Sequence, residues 1–399
     1  MDNPWLTIVG IGEDGLSGLS EASRKALSRA ETVFGGERHL ALADVGARGR
    51  PWPVPFDVSA VIDCRGRATV VLASGDPFWH GVGSILAERL NSSEWIAYPA
   101  PSTFSLAAAR LGWRLESVTC LGLHAAPLES LVPHLAHGER IICLVCDGAA
   151  AIDLAAWLTA NNWGQSQLCT LVALGGPNES IAQHPAESYA GDPNATLVAV
   201  ALEVRGWHGL QRSSGLADTH FVHDGQITKR PMRALALSAL APRPGERLWD
   251  IGAGSGSISV EWALRGGIAL AIESRSDRVA NIRTNAAAFS VTRRVEVVEG
   301  TAPDVLQGLA APQAVFFGGG LDAAIFDGVW PQLPTGTRVV AHAVTLETES
   351  LLSELHQRHG GELMRIEIAQ AGELGRYRSW EPARPVVQWS VVKRSGDGA

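Results

Sequence analysis

No run of about 18 apolar residues occurs anywhere in the 399-residue sequence, so no membrane-spanning helix is expected. Cysteine is scarce: Cys64, Cys120, Cys143, Cys146 and Cys169 all lie in the first half. That is too few and too one-sided for a disulfide framework, and it fits buried thiols in a reducing cytoplasm. The opening MDNPWLTIVGIG has no basic leader, so no secretory signal is expected. Basic excess is absent too. The formal net charge is -8, with 14 basic against 21 acidic residues in 1–215 and 19 against 20 in 216–399. Neither half has the electrostatics that nucleic-acid binding demands. Lysine is rare, 3 of the 33 basic residues, so the cationic groups are almost all planar arginine forks suited to carboxylates. A cytoplasmic protein without nucleic-acid or membrane partners is expected.

What is present is apolar alternation on a scale that suggests two domains. Residues 1–204 alternate β-like runs (LTIVGI, TVVLA, IICLVC, LCTLVAL, ATLVAVALE) with helical stretches such as SEASRKALSRA and GSILAERL. Residues 205–226 have no periodicity and read as a linker. From 227 a cleaner βα alternation runs to 399. A helix over 230–240 precedes the strand RLWDI. Helices follow at SISVEWAL, RSDRVANIRTNAAA, APDVLQGL, LDAAIFDGVW and LETESLLSELHQR, with β runs ELMRIEIAQ and PVVQWSVVK closing the chain. Five βα units and a terminal strand pair predict a Rossmann-like, doubly wound α/β sheet whose last strand is antiparallel.

Asp250-Ile251-Gly252-Ala253-Gly254-Ser255-Gly256 lies between a predicted strand and a predicted helix. Glycines there permit a tight turn and close approach of a ligand to backbone, and the helix start offers free N–H groups. About twenty residues on, the next strand ends in Glu273, where a carboxylate can accept both hydroxyls of a ribose. The spacing is G-x-G-x-G, with an acid before the first glycine, rather than the dinucleotide pattern G-x-G-x-x-G. This resembles motif I of the class I S-adenosylmethionine (SAM) methyltransferases, a resemblance that covers most of 226–399. After the fourth strand that family's N-methylating members carry Asn/Asp-Pro-Pro-Tyr. Here the sequence is Phe316-Phe317-Gly318-Gly319-Gly320, which leaves room for a large ligand and a nucleophile needing little activation, such as an electron-rich carbon.

Near the N-terminus, Gly10-Ile11-Gly12-Glu13-Asp14-Gly15 fits G-x-G-x-x-G literally, but no acid caps a second strand and no helix opens at Gly15. An NAD-dependent oxidoreductase is therefore the weaker alternative. Ala73-Ser74-Gly75-Asp76-Pro77-Phe78-Trp79-His80-Gly81-Val82-Gly83 and Pro99-Ala100-Pro101-Ser102-Thr103-Phe104-Ser105 complete a different pattern. With Ile8–Gly12 they resemble the tetrapyrrole methylase family, the class III SAM methyltransferases, over about 5–204. Ala100 and Thr103 depart from that family's Pro-Gly-Ile-Ser-Ser. The N-terminal domain is then expected to be a two-lobed α/β methylase.

The pair of domains, in this order, resembles the fused precorrin methyltransferases of cobalamin biosynthesis, also through Asp224–Arg230, Val315–Gly320 and Ala343–Glu349. The resemblance implies two SAM sites and a precorrin substrate. It further implies methylation of ring carbons 5 and 15 and decarboxylation of the ring C acetate. In the first domain SAM should meet Gly10, Gly75, Asp76, Phe78, Ser102 and Thr103. In the second it should meet Thr228, Asp250, Gly252, Ala253, Gly254, Ser255, Gly256, Glu273 and Ala302. His80 and His342 are candidate catalytic groups, and Arg230 and Arg233 candidate grips for carboxylates; no general acid or base is identified. No metal site is expected: Cys143 and Cys146, three apart in a β run, face opposite sides and have no second ligand pair. A homo-oligomer is the expected assembly, and a non-catalytic tetrapyrrole-binding protein the remaining alternative.

Overall fold

The structure, a computed structural model, describes residues 4–207 and 209–395. Internal contacts divide the chain into two compact units that change over at Gly209/Leu210, with Glu129–Pro133 grouped with the second. The first unit holds two five-stranded sheets. One is wholly parallel: β1 (Leu6–Ile11), β2 (Thr32–Gly35), β3 (Gly49–Pro51), β4 (Thr69–Ser74) and β5 (Trp95–Tyr98) pair in the order β3-β2-β4-β1-β5. The near-continuous burial of LTIVGI and TVVLA is what a parallel strand covered on both faces requires. The other sheet is mixed. It comprises β6 (Thr119–Gly122), β7 (Arg140–Leu144), β8 (Gln167–Val172), β9 (Ser180–Pro185) and β10 (Val198–Glu203), in the order β6-β7-β10-β8-β9.

The second unit is built on one seven-stranded sheet. Its strands are β11 (Arg247–Ile251), β12 (Ile268–Glu273), β13 (Val295–Glu299), β14 (Ala314–Phe317), β15 (Arg338–Ala343), β16 (Glu362–Ile366) and β19 (Val386–Val392). The order is β13-β12-β11-β14-β15-β19-β16, and β19 runs antiparallel to both neighbours, as the sequence pattern predicts. Helices at Arg230–Leu240, Ser257–Leu264, Ser276–Ala288 and Leu346–His359 fall where the periodicity puts them. APDVLQGL does not: Pro303 and Gly308 bracket it, and only the 3-10 turn Asp304–Leu306 forms. A hairpin of β17 (Ala369–Leu374) and β18 (Tyr377–Pro382) stands apart from the main sheet, with nearly every residue exposed.

Residues 210–226, expected as linker, pack onto the second unit. Leu216 and Phe221 join its core. The carboxylate of Glu261, fully buried on the helix Ser257–Leu264, accepts from the amides of Gly215 (2.8 Å) and Leu216 (2.9 Å). Arg233 completes the arrangement. Its guanidinium, also fully buried, donates to Glu261 (2.6 Å), to Asp218 (3.1 Å) and to the carbonyls of Thr228 and Leu216, and it covers the Phe221 ring. Two buried charges are tolerable only when paired and hydrogen-bonded in this way. A fragment 210–399 is therefore expected to fold on its own, and one starting at residue 217 to be markedly weaker. Loss of Leu216 burial and two amide–carboxylate bonds costs about 3 kcal/mol, lowering the melting midpoint by roughly 6–12 °C. Equal midpoints in a thermal melt of the two fragments would contradict this.

Candidate functional site

In the first unit, three loops meet at the carboxyl ends of β1, β4 and β5. The Gly75 amide donates to the Ile11 carbonyl at 3.1 Å, and the Ala100 amide to the Gly75 carbonyl at 3.0 Å. A Cβ on Gly10 would collide with that Gly75 carbonyl and with the Ala100 amide, so only glycine lets these backbones touch. Asp76 shapes the next turn: its Oδ1 accepts from the Phe78 amide at 2.9 Å. Ser102 caps the helix Thr103–Leu111 by accepting from the Ser105 amide at 3.1 Å. Gly10, Gly75 and Ser102 thus lie where these loops touch, with Asp76 next in the turn and Thr103 opening the helix. Phe78 is partly exposed beside Trp95, with ring centroids 5.4 Å apart. His80, exposed at φ +57, lies 6.1 Å from the Phe104 ring.

The same edge carries a side-chain network that sequence spacing does not reveal. Arg38 pairs with Glu13 and donates to Ser74 Oγ at 3.0 Å, and His39 Nε2 lies 2.8 Å from that hydroxyl. Burial, then the Arg38 charge, pushes the His39 pKa down to about 4. Cys143 is buried in β7, whereas Cys146, expected in the same β run, lies beyond the strand's end at Leu144 and is exposed.

In the second unit, the carboxyl ends of β11, β12 and β14 converge. Gly252, at φ +71, approaches so near Gly319 that a Cβ would strike the Gly319 carbonyl. The amides of Gly252 and Ala253 both donate to the Ile272 carbonyl at 3.0 Å. Glu273, 4% exposed, accepts from Gly254 N at 2.9 Å and Arg275 N at 3.0 Å, so it secures the loop and keeps further lone pairs. Asp250 is buried. Its Oδ2 accepts from Ser259 N (3.1 Å) and Ser259 Oγ (2.6 Å), a partner the sequence did not suggest. Its Oδ1 and the Ser255 hydroxyl are buried with no hydrogen-bond partner. Burial raises the Asp250 pKa to about 7, against the pull of the Ser259 bonds, with the Glu273 charge adding to the rise.

A cavity of about 1210 Å³ opens beside this loop. Thr228, Gly252, Ala253 and Gly254 line it, whereas Asp250, Ser255, Gly256, Glu273 and Ala302 do not. His342, at the end of β15, also lines it; its Nε2 is 2.9 Å from Gln388 Oε1, its ring is edge-on to Phe316, and burial lowers its pKa. Arg230 lines the cavity with only a 3.4 Å contact to Gln211. Arg233, expected as a grip for substrate carboxylates, is instead buried and engaged inside the fold by Glu261, Asp218 and two carbonyls. Among the described residues, no cluster of His, Cys, Asp or Glu fits a metal ion, and no helix is long and apolar enough to cross a membrane. The unpartnered Asp250 Oδ1 and Ser255 hydroxyl, close to the loop though outside the cavity lining, fit the amino-acid end of SAM, which offers an ammonium and a carboxylate.

Comparison with known proteins agrees with this division. Residues 5–189 match the tetrapyrrole (corrin/porphyrin) methylases and residues 219–393 the precorrin methyltransferase domain. A precorrin-6Y C(5,15)-methyltransferase [decarboxylating] from Sinorhizobium sp is 46% identical over 98% of this chain and 97% of its own. One of the same name from Mycobacterium tuberculosis is 40% identical over 98% and 100%. A probable cobalt-precorrin-6B C(15)-methyltransferase (decarboxylating) from Pyrobaculum aerophilum is 35% identical over 43% of this chain and 92% of its own. With full-length identity of this order and both halves matched in sequence, the chain belongs to the precorrin-6Y C(5,15)-methyltransferase (decarboxylating) family of SAM-dependent enzymes.

Proposed function

We propose that each unit binds its own SAM and performs its own methyl transfer on a precorrin: the first unit at carbon 5, the second at carbon 15 with loss of carbon dioxide from the ring C acetate. The observation that carries this is the presence of two unrelated glycine-built loops, each at strand carboxyl ends. The Pyrobaculum relative adds support, because a protein spanning 43% of this chain is named for C(15) methylation and decarboxylation alone.

Bound SAM supplies an electron-deficient methyl group. In the second unit Asp250, Ser255 and the glycine loop 252–256 would hold its amino-acid end, Glu273 its ribose, and Ala302 would border the adenine. In the first unit Gly10, Gly75, Ser102 and Thr103 provide backbone and hydroxyl contacts around a turn that Asp76 keeps in shape. Bridge carbons of a precorrin are enamine-like nucleophiles, so alignment counts for more than a strong base. The new C–C bond takes its electrons from the ring, the pair of the broken methyl–sulfur bond would stay on the sulfur of the departing thioether, and the conjugated macrocycle is equally the sink for decarboxylation. There the pair from the breaking C–C bond enters the ring, carbon dioxide leaves uncharged, and a solvent proton completes the methyl group. The bare Gly318–Gly319 backbone beside the loop leaves room for a macrocycle.

Glu273→Ala is expected to cost about 1.5–3 kcal/mol of SAM affinity in the second unit. Methylation at carbon 15 and decarboxylation fall while methylation at carbon 5 persists. Asp76→Ala does the reverse, losing carbon 5 methylation through weaker SAM affinity that high SAM partly restores. Product mass spectrometry reads both, and equal losses at both carbons in either variant rule out one site per unit.

Asp250 makes SAM binding pH-dependent. With its pKa near 7 in the free protein, it is protonated below that pH, and a nearby ammonium favours the carboxylate. Binding then expels a proton, so affinity in the second unit rises from pH 6 to pH 8. Asp250→Asn flattens that dependence. A wild-type dissociation constant indifferent to pH over this range would refute the contact.

A further inference from the structure

The cavity of the second unit has two chemically different walls. Although the chain as a whole carries a net charge of -8, Lys229, Arg230, Arg278 and Arg384 line this one cavity against only Asp218 and Glu381. Asp218 is already bound to Arg233, and Arg278 to Asp224 at 3.0 Å. Lys229, Arg230 and Arg384 are exposed to solvent and make no ion pair among the described residues. They come from separate elements, the start of the helix Arg230–Leu240 and the connection from β18 to β19. Packing brings these together: Met232, two residues after Arg230, shares an apolar cluster with Ile366 and with Val386, two residues after Arg384. Ile366, Ile368 and Val344 give the cavity an apolar lining as well.

We infer that Lys229, Arg230 and Arg384 form a clamp for those precorrin side-chain carboxylates that do not react, and that this clamp decides which edge of the macrocycle turns toward the glycine loops. The inference rests on the reading that the second unit methylates carbon 15 and decarboxylates. Uncommitted cations focused in a cavity of an acidic protein select a polyanion, and arginine forks grip carboxylates bidentately. The reacting acetate cannot be their ligand. Its carboxylate loses negative charge as carbon dioxide forms, so a cation bound to it would stabilise the starting state and slow the step. That acetate belongs instead beside the apolar residues, where the carboxylate is poorly solvated. The clamp therefore contributes binding and orientation equally before and during reaction.

This predicts a KM effect without a kcat effect. In the full-length protein, Arg384→Ala and Arg230→Ala should each raise the KM for precorrin in the carbon 15 reaction about tenfold, with kcat within about twofold of wild type. SAM affinity and melting midpoint should stay unchanged, which excludes a folding defect. Arg384→Lys should recover part of the loss, since charge remains but the fork does not. The rise of wild-type KM with added salt should flatten in the double variant. An unchanged KM, or a fall in kcat at unchanged KM, would overturn the clamp. Failure of the underlying reading looks different: the wild-type protein itself would then yield no 15-methylated, decarboxylated product.

Discussion

Everything in the two candidate sites depends on backbone touching backbone at the carboxyl ends of parallel strands. Gly75 reaches Ile11 and Ala100 through its own amide and carbonyl, and Gly10 leaves the space for it. Gly252 and Gly319 make the corresponding contact in the other unit. A side chain at any of these points would force the loops apart. The folds are unrelated, one with a purely parallel five-stranded sheet and a mixed partner, the other a seven-stranded sheet closed by an antiparallel strand. On the proposal of one SAM per unit, the shared device suits one ligand, a methionine-like head and a nucleoside held against close-packed backbone with one or two acids nearby.

Charge is placed around these loops by two opposite rules. Within the fold it is saturated, as in the pairing of Arg233 with Glu261 that fastens residues 214–218 to the second unit. At the cofactor loop it is left unfinished: Asp250 keeps one oxygen without a partner, in a setting that holds its proton until near neutrality. Unfinished valence in a buried position costs stability, which supports the contact proposed for Asp250.

Much of this was legible in the sequence. Long apolar runs gave β1, β4, β7, β8 and β10, and the strand–glycine–helix pattern located the loop after β11. Four-residue strands such as TVFG, WIAY and TCLG were not, because segments so short carry no period. The strand YRSWEP is exposed along its whole length, so no hydrophobic face announced it. Residues 210–226 read as linker because what anchors them, Glu261, lies some 45 residues away. The same holds at the sites. Motif residues declared themselves, but Ser259 behind Asp250, the Arg38–His39–Ser74 network and the convergence of Arg384 on Arg230 are products of tertiary contact. Arg233 shows the reverse error: on a helix start it looked available, and burial disposed of it.

The central claim, two independent SAM sites in one chain, is tested most directly by counting them. Equilibrium dialysis of the full-length protein with labelled SAM should saturate at two molecules per chain, falling to one in Glu273→Ala at concentrations that fill only the first unit's site. Saturation of the wild-type protein at a single molecule per chain would contradict the account.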